Sequence, residues 1–209
     1  MTTIRNCQII LGTGEDILAN LKKTNLFIGE NSYAAIDAIA EACCGTHNSN
    51  PKMRCVNFEL MHDDKAYVVT TVSSKDGTTA LVKYLEDHEE YNEIAFFEFD
   101  SIRDEFSYNS RNVFKNDKIC RIDDLLSDSE ISILNCKEFI KGLKKQGDDR
   151  PIFISGFFEK IDKETRIKIL DELITLTKNS QIFIAVTRDV FGDEFIGEKI
   201  FLEKIWEVV

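Results

Sequence analysis

Thr24-Asn25-Leu26-Phe27-Ile28-Gly29-Glu30-Asn31-Ser32-Tyr33-Ala34-Ala35-Ile36-Asp37-Ala38-Ile39-Ala40 decides how this chain is read. An apolar strand, Leu26 to Ile28, enters a Gly29-Glu30-Asn31 turn, and a helix of small residues opens at Ser32. Strand, glycine turn and helix form the frame on which proteins hold phosphate. A working loop needs further glycines, so that successive N–H groups converge on the phosphates, and a lysine followed by Ser or Thr. Here the helix begins at once, and no lysine stands between Lys23 and Lys52. The frame is legible and its reactive centre is gone.

Working outward, residues 4 to 11 read as a strand joined to 24 to 28 through Gly12-Thr13-Gly14. Residues 34 to 43 read as the helix, with Ile36, Ile39, Ala40 and Cys43 on one face. Beyond the polar loop 45 to 51, residues 55 to 60 and 66 to 72 read as a hairpin about His62-Asp63-Asp64-Lys65. Residues 78 to 89 show helical spacing at Leu81, Tyr84 and Leu85. Residues 94 to 99 read as a buried strand, 100 to 117 as a polar excursion, and 123 to 126 and 129 to 145 as helices. The last third predicts a strand over 151 to 158, an amphipathic helix over 162 to 178, a strand over 181 to 186 and edge strands over 199 to 209. The helical stripe expected there is Ile167, Leu170, Leu173, Ile174 and Thr177. Continuous apolar strands flanking a helix imply a parallel crossover in a covered sheet. The expected architecture is α/β: a mixed sheet with a parallel core flanked by helices, plus an antiparallel subregion. The whole of 1–209 reads as a single domain, with 52–117 as the antiparallel or irregular part and 150–209 as the strand–helix–strand block.

Composition narrows the function. With 37 acidic against 26 basic residues the net charge is -11, so the surface as a whole repels phosphate backbones. Direct nucleic-acid binding is not expected: the short basic clusters, Lys22-Lys23, Lys141 to Lys145 and Lys160 to Lys168, are too few. No apolar run nears the ~20 residues that span a bilayer, and no cleavable apolar leader is seen, which predicts a cytoplasmic protein without membrane contact. The six cysteines then read as reduced, small apolar groups. Cys43, Cys44, His47 and Cys55 lack the paired C-x-x-C spacing of a zinc site, so no metal is assigned. His62 and His88 have no nucleophile motif near them, and the pairs Asp63-Asp64, Asp123-Asp124 and Asp148-Asp149 suit turns and helix starts.

The N- and C-terminal blocks together resemble the ABC-type ATPase heads of the SMC, RecF and OLD-nuclease group. There, a sequence like Asn25-Leu26-Phe27-Ile28-Gly29-Glu30-Asn31 is followed by Gly-Ser-Gly-Lys-Ser-Thr and a helix. This chain is about three residues shorter at that place and lacks the glycines and the lysine. The family's apolar strand ends in Asp-Glu, whereas Ile152-Phe153-Ile154 is followed here by Ser155 and Gly156. Lys160-Ile161-Asp162 looks like the family's D-loop, and Arg188 stands where its terminal histidine is expected. The signature Leu-Ser-Gly-Gly-Gln has no counterpart in Leu134-Asn135-Cys136-Lys137-Glu138.

The resemblance implies a P-loop NTPase-like fold, and the missing residues imply a pseudoenzyme. Lysine, Asp and Glu neutralise phosphate, hold Mg²⁺ and orient water in such sites, and none is present. No catalytic residue is therefore assigned. Gly29, Glu30, Asn31 and Ser32 are the candidate remnant of the phosphate loop; weak Mg·ATP binding at the helix N-terminus is the most they would support. Read without the resemblance, they form a tight turn with Asn31 or Ser32 as N-cap. The expected role is a protein-interaction or regulatory subunit. Its partner would be an ATPase or nuclease of related fold, or a second copy, in DNA repair or phage defence. The competing expectation is an atypical ATPase completed by a partner subunit.

Overall fold

The computed structural model describes residues 2–43, 52–62, 65–74, 77–84, 121–122, 151–159, 161–176 and 178–202. The expectations for 45 to 51, 94 to 117, 123 to 145 and 203 to 209 lie outside these residues, as do Cys44, His47, His88 and the Leu134–Glu138 segment.

Two sheets organise the chain. The first is antiparallel, in the order β2-β1-β4-β5-β6, with β1 Thr2–Leu11, β2 Asp16–Ala19, β4 Met53–His62, β5 Lys65–Ser74 and β6 Gly77–Tyr84. The second is wholly parallel, in the order β10-β3-β9-β8-β7, with β3 Thr24–Ile28, β7 Arg121–Ile122, β8 Ile152–Ser155, β9 Ile182–Val186 and β10 Glu198–Phe201. Helix α1, Ser32–Cys43, lies between the two sheets, and α2, Lys163–Leu176, covers the far face of the parallel one.

The strand composition explains this layering. Every residue of β3, β8 and β9 is buried, as strands covered on both faces require. Their side chains alternate. Phe27, Phe153, Phe183 and Ala185 join α1 and the antiparallel sheet in one core, while Leu26, Ile28, Ile152, Ile154, Ile182, Ile184 and Val186 join α2 in the other. On the α1 side, Phe153 stacks on Phe183 at 4.8 Å between ring centroids, and Phe183 meets Phe27 at 6.4 Å. Helix α1 is apolar nearly all round, with Ala34, Ala35, Ile36, Ala38, Ile39, Ala40 and Ala42 buried. A helix between two sheets has no solvent face, and its alanines let both approach closely.

The structure corrects several expectations. Residues 77–84 form β6, not a helix, pairing with β5 from Ser74↔Gly77 to Tyr67↔Tyr84. Thr78, Thr79, Val82 and Tyr84 favour strands, and the β5 edge supplies a full ladder of backbone partners, so the spacing of Leu81 and Tyr84 was coincidental. A strand, β2, stands where only a turn was read, and it hydrogen-bonds β1 across the Gly12–Gly14 reversal. β8 stops at Ser155 because Gly156 turns the chain at φ 68°, and Phe157–Glu159 then form a 3-10 turn. The stripe α2 buries is Arg166, Ile169, Leu170 and Leu173, with Ile167 and Ile174 only half-buried, and Thr177 lies outside the described residues.

Candidate functional site

Because the second sheet is parallel, its strand ends gather on one edge. Gly29 follows β3, Gly156 follows β8 and Thr187 follows β9, in a register that sets Ile28 beside Val186 and Ser155 beside Ala185. In open parallel sheets ligands bind outside this carboxyl edge. The sequence-predicted residues Gly29, Glu30, Asn31 and Ser32 do lie there, between β3 and α1.

They form a closed turn. Gly29, at φ 130°, donates its N–H to the Val186 carbonyl at 3.0 Å. The Ser32 hydroxyl donates to the same carbonyl at 2.8 Å, and the Ser32 side chain is fully buried. The Ser32 N–H returns to the Gly29 carbonyl at 3.0 Å, and the Ala35 N–H donates to the Asn31 carbonyl, so the helix starts directly over the end of β9. Asn31 thus occupies the cap position through its backbone. The alternative of Ser32 as side-chain cap is overturned, since its hydroxyl serves β9 instead. Glu30 is exposed.

Sequence reading missed the carboxylate that joins this edge together. Glu159, in the turn after β8, accepts hydrogen bonds from the Tyr33 hydroxyl, the Thr187 N–H and the Thr187 hydroxyl. It thereby ties the first turn of α1 to the ends of β8 and β9. Partial burial pushes its pKa up, but the bonds from Thr187 and Tyr33 outweigh that and hold it below the ordinary glutamate range. Glu159 therefore stands ionised and triply bonded, a poor general base. An acid just beyond the apolar Ile152–Ser155 strand was the available signal.

Two neighbours complete the edge. Ser155, where the resemblance expects the metal-holding Asp, is 5% exposed, and its hydroxyl has no hydrogen-bond partner among the described residues. By alternation with Phe153 it faces the α1 side. Arg166 of α2 is buried, donating to the carbonyls of Phe158 at 2.8 Å, Ile161 at 2.7 Å and Val190, with its guanidinium carbon 5.7 Å from the centre of the Phe191 ring. Arg188 lies exposed at the expected histidine position. Asp189 accepts from the Phe191 and Gly192 N–H groups and pairs with Lys199 at 2.6 Å.

No three His, Cys, Asp or Glu side chains converge on a metal position among the described residues. Cys7 is buried and its thiol is pushed far above the ordinary range by desolvation, then by Cys55, so it is an inert apolar group. Among the described residues no helix is long and apolar enough to cross a membrane.

No family model matches the sequence, and no curated protein matches it significantly. Among solved structures, the SMC head domain from Thermotoga maritima is similar over 87% of this chain and 88% of that one, with a TM-score of 0.51 and 11% identity. At that identity the likeness carries the fold: a P-loop NTPase-like, ABC-type head architecture of mixed α/β type.

Proposed function

We propose that this chain is a head-type domain that no longer processes nucleotide and serves as a protein-interaction or regulatory subunit. The observation that carries this reading is the closed turn, in which the Val186 carbonyl receives both the Gly29 N–H and the Ser32 hydroxyl. These two donors, which would turn toward a phosphate, are satisfied inside the protein. The fixed charge of Glu159, bonded to Tyr33 at the start of α1, opposes a second anion there.

Missing residues deepen the loss. Each absent charge-stabilising group costs roughly 10²-fold or more in rate, and lysine, Asp and Glu would act on one transition state. What remains is a folded surface carrying a net charge of -11, suited to a partner with a basic face. An ATPase or nuclease of related fold, acting in DNA repair or phage defence, is the partner class proposed; a second copy of the chain is the other.

Titration with Mg·ATP and a phosphate-release assay test the first half. The expected result is no turnover and no binding that depends on Ser32; turnover lost in Ser32→Ala would overturn it. Light scattering with ATPases and nucleases encoded beside this chain tests the second half. A stoichiometric complex that loosens with salt is expected, and persistence as a lone monomer beside all of them sinks the idea.

One observation favours a second reading, an atypical ATP-binding head completed by a partner subunit. The buried hydroxyl of Ser155 has no partner among the described residues, at the strand end where a working head would hold its metal.

A further inference from the structure

The other edge of the parallel sheet holds a cavity of about 340 Å³, a size that suits a small ligand. Three separate segments meet there: the bulged part of β1, the link from β2 to β3, and the link from α2 to β9. Arg5, Lys22, Lys23 and Lys178 line it, and among the described residues its lining contains no acid and no aromatic ring. In a chain of net charge -11, such a convergence of cations needs a reason.

The frame beneath it is rigid. Gln181, 4% exposed, accepts the Ile4 N–H at 2.8 Å and donates to the Ile4 and Lys22 carbonyls, each at 2.8 Å. Asn25, fully buried, accepts the Lys22 N–H at 2.7 Å and donates to the Lys22 carbonyl at 2.8 Å. The Ile182 N–H donates to the Lys23 carbonyl at 2.7 Å, and the Lys23 ammonium donates to the Lys178 carbonyl. Two buried amides thus fix the backbone from which the lysines project. On β1, the pairing with β4 shifts register between Arg5 and Gln8, and Asn6, at φ 46°, sits in that bulge and faces the cavity. Bulges re-aim side chains and recur beside binding sites.

The Lys23 ammonium is committed to a neutral acceptor, the Lys178 carbonyl, and not to an anion. Among the described residues no carboxylate forms an ion pair with Arg5, Lys22, Lys23 or Lys178. Glu59, opposite Arg5 in the strand register, is not part of the lining. Cations gathered in a concavity focus the field and raise the local concentration of anions. With no ring for a base to stack on, and neutral amides such as Asn6, Asn20 and Asn179 between the charges, the chemistry selects a polar, multiply charged anion.

We propose that this cavity binds the polyphosphate portion of a small ligand, through Arg5, Lys22, Lys23 and Lys178. The site is independent of the closed turn and lies at the opposite edge of the sheet. It recognises phosphate and is indifferent to any base attached to it.

Calorimetric titration of the full chain with inorganic triphosphate at low salt tests the proposal. Saturable binding is expected, weakened about tenfold by Lys22→Ala and by Lys178→Ala separately, and falling as salt rises. ATP should bind as tightly as inorganic triphosphate, and both should bind Ser32→Ala and Tyr33→Phe as they bind wild type. Lys22 and Lys178 are exposed and their side chains take no part in the frame, so both variants should keep the wild-type melting curve. Silence at millimolar triphosphate would overturn the proposal. So would binding lost in Ser32→Ala but kept in Lys178→Ala, which would move the site to the turn and break the preceding functional reading instead. A single-stranded oligonucleotide whose affinity grows with length and exceeds that of triphosphate would also overturn it, by making a phosphodiester backbone the ligand.

Discussion

The two edges of the parallel sheet are built alike and finished in opposite ways. At the carboxyl edge one buried side chain, Arg166, gathers the carbonyls of Phe158, Ile161 and Val190. At the amino edge one buried side chain, Gln181, gathers the backbone of Ile4 and Lys22. Above the first frame the donors find internal acceptors: Val186 takes Gly29 and Ser32, and Glu159 takes Tyr33 and Thr187. Above the second frame the cations pair with no carboxylate among the described residues. An α/β fold offers its carboxyl edge to ligands because helix N-termini and strand ends meet there. In the reading proposed here the chain closes that edge against itself, while among the described residues the cations of the other edge pair with no carboxylate, so the two edges make separate candidates for a ligand.

The largest expected effects test whether each frame is needed. Gln181→Leu keeps side-chain bulk but strands the Ile4 N–H, the Ile4 carbonyl and one bond to Lys22, and should cost about 3–5 kcal/mol by denaturant unfolding. Arg166→Met should cost about 2–4 kcal/mol, because it leaves the carbonyls of Phe158 and Ile161, on buried residues, and of half-buried Val190 without their donor. A loss under about 1 kcal/mol in either variant would mean that edge is held by its apolar packing alone.

Next comes the charge at the closed edge. The folded-state pKa of Glu159 is depressed, so its contribution is fully present above the ordinary glutamate value, 4.5, and is lost as pH falls through the lower folded value. Glu159→Gln should therefore be slightly less stable than wild type at neutral pH, by under about 1 kcal/mol for a half-exposed group. The gap should close in acid. A gap that persists unchanged to low pH would mean the Tyr33 and Thr187 bonds act through shape and not through charge.

The closed edge was half legible in the sequence. Leu26 to Ile28 and Ile182 to Val186 are unbroken apolar runs bounded by Gly29 and Thr187, as strands covered on both faces of a parallel sheet are. The block around Gly29 to Ser32 fell where its pattern placed it, because strand, glycine and small-residue helix are neighbours in the chain. Glu159, Tyr33 and Thr187 were not legible as a unit, since their bonds exist only after three strand ends meet. The basic edge was hidden for the same reason: Lys22-Lys23 drew notice alone, while Arg5 and Lys178 are brought beside it by the sheet. β6 was misread because its apolar residues satisfy both periods over so short a stretch, and pairing with β5 decided between them.

The smallest effect separates the two functional readings. The Ser155 hydroxyl is buried without a partner among the described residues, a situation that costs about 1 kcal/mol or more where nothing else satisfies it. Its neighbours across the sheet are apolar: Ala185 lies beside it in register, and Phe153 precedes it on the same face. If the pocket around it is dry, Ser155→Ala removes a desolvated dipole and loses one atom of packing, so stability should stay level or rise by up to about 1 kcal/mol. If a bound water or metal-held water satisfies the hydroxyl, the same change should destabilise by about that amount and abolish any melting shift caused by Mg·ATP. A neutral or stabilising result, with no Mg·ATP response in either protein that depends on Ser155, fits an edge that has closed around its own carboxylate. A destabilising result, with a lost Mg·ATP response, would reopen the carboxyl edge as a working site.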